Sequence, residues 1–118
     1  MINARFEIVP EKDEIISLRV TGHAGFDSYG YDIVCASVSA LVISTINALE
    51  DYVGLNTNVQ INEDYTSFSV TAIDEYTSVQ AQTLMHSLEM GIRALSEEYD
   101  DFIKVDIVEV EKNDQIYD

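Results

Sequence analysis

The chain has 118 residues, of which 22 are Asp or Glu and 6 are Lys or Arg, giving a formal charge of −16 at pH 7. Contact with nucleic-acid phosphates or an anionic lipid surface takes clustered cations, and from Val20 to Ile92 there is no Lys or Arg at all. Direct nucleic-acid and membrane partners are therefore not expected, and any partner drawn in by charge is basic or a cation.

With 47% hydrophobic residues, the length fits one domain that buries a core without metal or disulfide staples. The expected boundaries are 1–110 for the folded domain and 111–118 for a polar C-terminal tail. The single cysteine, Cys35, has no intramolecular disulfide partner, and no basic segment followed by an apolar stretch and a cleavage site opens the sequence. A reducing cytoplasm is the expected location.

Ile2, Ala4, Phe6 and Ile8 alternate with Asn3, Arg5 and Glu7, the period of a strand with one buried face. After a turn at residues 10–13, Ile16, Leu18 and Val20 alternate with Ser17, Arg19 and Thr21, which predicts a hairpin ending at Gly22. Residues 22–31 hold three of the five glycines and follow neither period, so they read as a loop. Asp32 is a good N-cap for a helix running from Ile33 to about Tyr52, stopped by Gly54. The apolar stretch 33–49 is interrupted by Ser37, Ser39, Ser44, Thr45 and Asn47 and reads as too polar for a membrane span. A helix apolar on most of its circumference is expected to be covered on more than one side. Val59 and Ile61, then Phe68, Val70 and Ala72, predict a second hairpin turning near Glu63 and Asp64. Thr77 with Gln80 has capping-box spacing, and Val79, Leu84, Leu88, Ile92 and Leu95 form the stripe of a second helix. Ile103, Val105 and Ile107 mark a last strand. The order strand-strand-helix-strand-strand-helix-strand implies an α+β two-layer sandwich, a mostly antiparallel sheet with two helices on one face.

The residues able to carry chemistry converge on the glycine-bearing loop. With Asp32 as cap, Cys35 falls in the first turn of its helix, where unpaired N–H groups and the helix dipole stabilise a thiolate. His23 closes the preceding strand 12 residues earlier, within reach of the sulfur across the loop, where it can act as acid and base. The N–H groups of Cys35 and Ala36 would then serve as an oxyanion hole. Each residue also has a plain packing role: Cys35 as a small buried hydrophobe, His23 as the partner of a loop carbonyl. Asp32 caps the helix, orients His23, or does both. Ser39, one turn beyond Cys35, either donates toward the sulfur or bonds the carbonyl four residues back. Phe26, Tyr29 and Tyr31 line a cleft or anchor the loop by burying their rings. His23, Asp27 and Asp32 match no tight ligand spacing, so no metal and no cofactor are expected.

The string itself is more specific than the spacing. Gly22, His23 and Ala24, then Tyr29 and Gly30, then Asp32, Ile33, Val34, Cys35 and Ala36, with Ser39 and Ala40 after them, resemble the signature of the bacterial ribosomal-processing cysteine protease family, Prp. The likeness runs to about Val110 and includes the second helix ending in Ser96, Glu97, Glu98 and Tyr99. It implies an endopeptidase that removes the N-terminal extension of a basic protein, number twenty-seven of the large ribosomal subunit, during ribosome maturation. Cys35 would be the nucleophile and His23 the acid/base. Asp32, Ser39 and Ala36 would support them, and Gly22, Gly25, Phe26, Tyr29, Gly30 and Tyr31 would form a substrate-binding loop. The resemblance also implies a homodimer. A reading from a different class is a non-catalytic acidic module that holds a basic ribosomal protein, with Cys35 as packing.

Overall fold

The structure, a computed structural model, describes residues 1–22 and 29–111, with the backbone alone at 29–32. The chain forms β1 (Ile2–Val9), a single 3-10 turn (Pro10–Lys12), β2 (Glu14–Thr21), α1 (Tyr29–Asn47), β3 (Gln60–Ile61), β4 (Tyr65–Ser69), α2 (Glu75–Glu98) and β5 (Ile103–Glu109). The five strands make one sheet in the order β3-β4-β2-β1-β5; β1 with β5 is parallel and the other pairs are antiparallel. This is the expected α+β layout.

The strand period decides which face is buried. Ile2, Ala4 and Phe6 of β1, Leu18 and Val20 of β2 and Phe68 of β4 point to the helices and are buried. Asn3, Arg5, Glu7, Ser17, Arg19, Ser67 and Lys104 alternate with them on the open face. Burying each of the large side chains contributes about 1.5–3 kcal/mol. On the open face Ser17 donates to Glu7 at 2.9 Å, and the Arg19 guanidinium lies 3.8 Å from the ring centre of Tyr65.

One irregularity corrects the period read from sequence. Glu7 faces Ser17 but Ile8 faces Ile15, so β2 carries an extra residue, Ile16, in a β-bulge. Beyond it the inward positions pass to Val9 and Ile15, which are buried, and Ile8 and Ile16 are only half-buried. The Gln82 side chain secures this stretch from α2, accepting from the Ile15 N–H (2.7 Å) and donating to its carbonyl (3.0 Å).

The helix α1 presents Val34, Val38, Val42 and Ile46 to the core, and Leu49 continues the stripe in a π-helical turn, Ala48–Val53. Gly54 ends it in the left-handed conformation (φ 87°), donating to the Leu49 carbonyl, as the sequence implied. Two expectations for this helix fail. Ile33–Val53 is long and apolar enough to cross a membrane by length and composition alone, despite its hydroxyl residues. Within the fold its valine stripe is core. Nor is it covered on several sides in the single chain: Ala36, Ser39, Ala40, Ile43, Ser44 and Asn47 are exposed. The helix α2 crosses α1 closely at Gly91, where an added β-carbon would stand 3.2 Å from Leu41 Cδ1.

The hairpin expected near Glu63 and Asp64 forms, with the Asn62 carboxamide accepting from the N–H groups of Asp64 and Tyr65. Its first strand is only two residues long, and Ile61 is exposed. In α2 the buried stripe is Thr77, Ala81, Met85, Leu88 and Ile92; Val79 is 68% exposed and lies off it. The capping box is Asp74 with Thr77, one turn earlier than Thr77 with Gln80. Asp74 accepts from the Thr77 N–H (2.8 Å), and the Thr77 hydroxyl accepts from the Asp74 N–H (3.1 Å). A carboxylate outcompetes a hydroxyl for the helix N-terminus because it adds charge to the hydrogen bond. The polar tail expected from residue 111 lies outside the described residues beyond Glu111.

The Thr77 N–H and then the Thr77 hydroxyl hold the Asp74 carboxyl below its ordinary 3.8. A depressed carboxyl stabilises the fold above the unfolded value and loses that contribution as pH falls below 3.8. Asp74→Asn should therefore flatten the acid side of the stability profile, so that wild type and variant converge as pH drops below 3.8 in denaturant titrations.

Candidate active site

The strand β2 delivers the chain to the loop through Gly22, whose φ of 81° is left-handed and turns the backbone out of the sheet. Of the residues expected on that loop, His23, Gly25 and Phe26 lie outside the described residues. Tyr29, Gly30 and Tyr31 are not loop but the first turn of α1, which begins at Tyr29.

This earlier start revises the local chemistry. Asp32 is the fourth residue of the helix rather than its N-cap, and Cys35 is the seventh, in the second turn. An α-helical N–H at that depth bonds the carbonyl four residues back, so the N–H groups of Cys35 and Ala36 are committed to Tyr31 and Asp32. They are not an oxyanion hole in this arrangement. The helix dipole also acts less on Cys35, because its effect fades within the first turn. The sequence by itself favours a later boundary because Asp32 is a strong cap type. Residues 29–31 carry no helix-breaking proline, and Gly30 costs only about 1 kcal/mol, so the helix can start before it.

Cys35 is half-buried, at the border of the stripe that Val34 and Val38 anchor in the core. Its helix is immobilised by the buried neighbours, and the thiol faces the edge of the covered surface. Ala36 and Ser39 are exposed beside it, Ser39 one turn on along the same face. The back-bond to the carbonyl four residues earlier is made by Ser37 to Ile33 (2.9 Å) and by Thr45 to Leu41 (2.8 Å). Among the described residues no group of three His, Cys, Asp or Glu is placed to hold a metal ion.

Elsewhere, His86 is half-buried, and its Nε2 lies 2.9 Å from the Asp13 carbonyl oxygen, a tie between α2 and the β1–β2 turn. A groove of about 790 Å³ opens at the far end of the sheet from Gly22, lined by Glu7, Glu14, Ile16, Val70, Asp74 and Glu75 among others. Among the described residues, none of the expected site residues lines it. The Met1 carbonyl abuts Gly22, a contact whose trace in the sequence is a glycine closing a strand.

The family model described as cysteine protease Prp matches residues 1–104. The chain belongs to the Prp family. It is a cysteine protease. The ribosomal processing cysteine protease Prp of Bacillus subtilis is 32% identical over 94 residues, covering 77% of this chain and 84% of that protein. The Staphylococcus aureus Prp is 24% identical over 97 residues, covering 82% and 91%. Among solved structures, SMU.848 from Streptococcus mutans superposes with a TM-score of 0.83 at 33% identity, over 93% of this chain and 96% of that one. The S. aureus Prp in complex with a substrate peptide gives 0.79 at 19% identity, over 91% and 99%. That protease has also been solved with a covalently linked product peptide.

Membership in Prp makes Cys35, the single cysteine, the sulfur to examine first. A half-buried thiol at a helix edge should react with iodoacetamide in the native state near neutral pH, without prior unfolding. Mass spectrometry of the labelled chain against time measures it; labelling only on unfolding is the opposite result.

Proposed function

We propose that this chain removes the N-terminal extension from large-subunit ribosomal protein number twenty-seven, with Cys35 as nucleophile and His23 as general acid and base. The observation that carries this reading is a partly accessible Cys35 on a rigid helix, in a chain whose relatives are named ribosomal processing proteases. In the reaction, the Cys35 thiolate attacks the scissile carbonyl carbon, and protonated His23 passes its proton to the leaving amine as the C–N bond breaks. Water then attacks the thioester while His23 takes its proton, and the C–S bond breaks to release the new carboxylate and restore the Cys35 thiolate beside protonated His23. The surrounding carboxylates disfavour a thiolate by itself but favour an imidazolium, so a thiolate–imidazolium pair is consistent with the acidic surface.

The charge of −16 supports a basic substrate, since ribosomal proteins are rich in cations and this chain has none between Arg19 and Arg93. The exposed, uncharged side of α1, with Ile43 57% exposed, supports a homodimer, because it offers apolar surface with no opposing desolvation of charge. A cytoplasmic location goes with a catalytic thiol that must stay reduced.

The decisive measurement incubates the chain with the extended ribosomal protein and reads the N-terminus by mass. Truncation at one bond is expected from the wild type and none from Cys35→Ala, with the circular dichroism spectrum unchanged; cleavage at the wild-type rate by Cys35→Ala overturns the mechanism. If the acidic surface recruits the basic body of the substrate, raising salt should increase KM for the whole protein more than for a short neutral peptide spanning the same bond. An equal change for both assigns the acidity to solubility.

A further inference from the structure

Gly22 is held by more than its left-handed φ. A β-carbon at this position would stand 2.1 Å from the Met1 carbonyl oxygen, 3.2 Å from the Met1 carbonyl carbon and 3.5 Å from the Ile2 Cα. All three are backbone atoms, so no side-chain rotation makes room. The Met1–Ile2 peptide is itself pinned. The Ile2 N–H donates to the Phe102 carbonyl at 2.8 Å, where β5 joins β1 in parallel, and the Ile2 side chain is buried in the core. With no cis peptide among the described residues, this unit is trans, so its carbonyl points away from its N–H. One edge of the peptide is therefore tied to Phe102 while the other edge abuts Gly22.

We infer that Gly22, seated against the clamped Met1–Ile2 peptide, is a positioning residue that sets the direction in which the chain leaves β2 toward His23. It acts on catalysis through the histidine. The inference rests on the Cys35–His23 reading above and extends it to the first two residues of the chain. A larger residue at position 22 has two ways to relieve the contact. Moving Met1 breaks the start of the β1–β5 pair and unseats Ile2, whereas moving residue 22 shifts the exit of the chain. The second leaves the buried Ile2 side chain and its bond to Phe102 in place. The fold is then kept and the histidine is misplaced.

The test compares wild type, Gly22→Ala, His23→Ala, and Gly22→Ala in a chain that begins at Ile2, released from a cleavable tag. In that shortened chain the Met1 carbonyl is gone, while the Ile2 amino group still donates to Phe102. Thiolate formation is followed by absorbance near 240 nm against pH, and kcat and KM are measured on a peptide spanning the cleavage site. Gly22→Ala is expected to unfold cooperatively, to lose about 100-fold or more in kcat with KM nearly unchanged, and to shift the Cys35 titration toward that of His23→Ala. Removing Met1 should restore about tenfold or more of that loss, leaving the smaller cost of alanine at positive φ. Wild-type kcat and titration in Gly22→Ala, lost activity with a wild-type titration, or no recovery without Met1 each overturn the inference. If Gly22→Ala does not fold, the chain beginning at Ile2 decides by the same readouts with and without Ala at position 22. His23→Ala with wild-type turnover refutes the catalytic pair itself, whereas a normal Gly22→Ala beside an inactive His23→Ala refutes the positioning role alone.

Discussion

The packing of the α1 stripe, Val34, Val38, Val42, Ile46 and Leu49, onto the apolar face of the sheet is the constraint on which the rest depends. Valine dominates the stripe, and a β-branched side chain in a helix has essentially one χ1 state, so little rotamer freedom is lost when it is buried. Five side chains spaced by three or four residues hold the helix at a fixed rotation. Cys35 follows Val34 by one residue, about 100° around the axis, and so lands at the border between covered and open surface. A rotation of the stripe in either direction would bury the thiol or detach it from any support.

The same packing divides the molecule into a wet side and a dry side of the sheet. On the dry side the interdigitated core accepts no charge. On the wet side Arg5, Arg19 and Lys104, three of the six cations, sit among serines and single carboxylates, so most of the acidity is left to the turns and helices. Within α1 and α2 the one Lys or Arg is Arg93, and its guanidinium is tied to Glu89 at 2.9 Å.

Membership in Prp agrees with this architecture, and the fold similarity extends across more than nine-tenths of the S. aureus and S. mutans structures and of this chain. The chain closes its sheet by returning β5 parallel to β1, through the bond from Ile2 to Phe102. The first and last strands therefore meet beside Gly22, and the stability of that corner and the exit of the loop are aspects of one arrangement. Two consecutive helix starts follow different rules: α2 is capped by a carboxylate at Asp74, whereas α1 runs through its own candidate cap at Asp32.

Much of this was legible in the sequence because it is local. Alternation in β1 and β2, the apolar helices, the stop at Gly54 and the string around His23 and Cys35 depend on residues within a few positions of each other, and they determined element order, fold class and the residues to suspect. What only the tertiary structure decided involves partners far apart in the chain. The extra residue Ile16 in β2 exchanges Ile8 and Ile16 for Val9 and Ile15 in the core, and no short window reveals a register slip. Val79 has the right spacing but the wrong rotation, since helix orientation is set by Met85, Leu88 and Ile92 against the sheet. The start of α1 at Tyr29 moved Cys35 out of the first turn, because cap preference is worth only about 1 kcal/mol and gives way to other contacts. The Met1 carbonyl meets Gly22 through strand pairing, 21 residues away along the chain but adjacent across the hairpin. Sequence determines what each segment is able to form; burial and register, which sum over distant segments, decide which way each side chain faces.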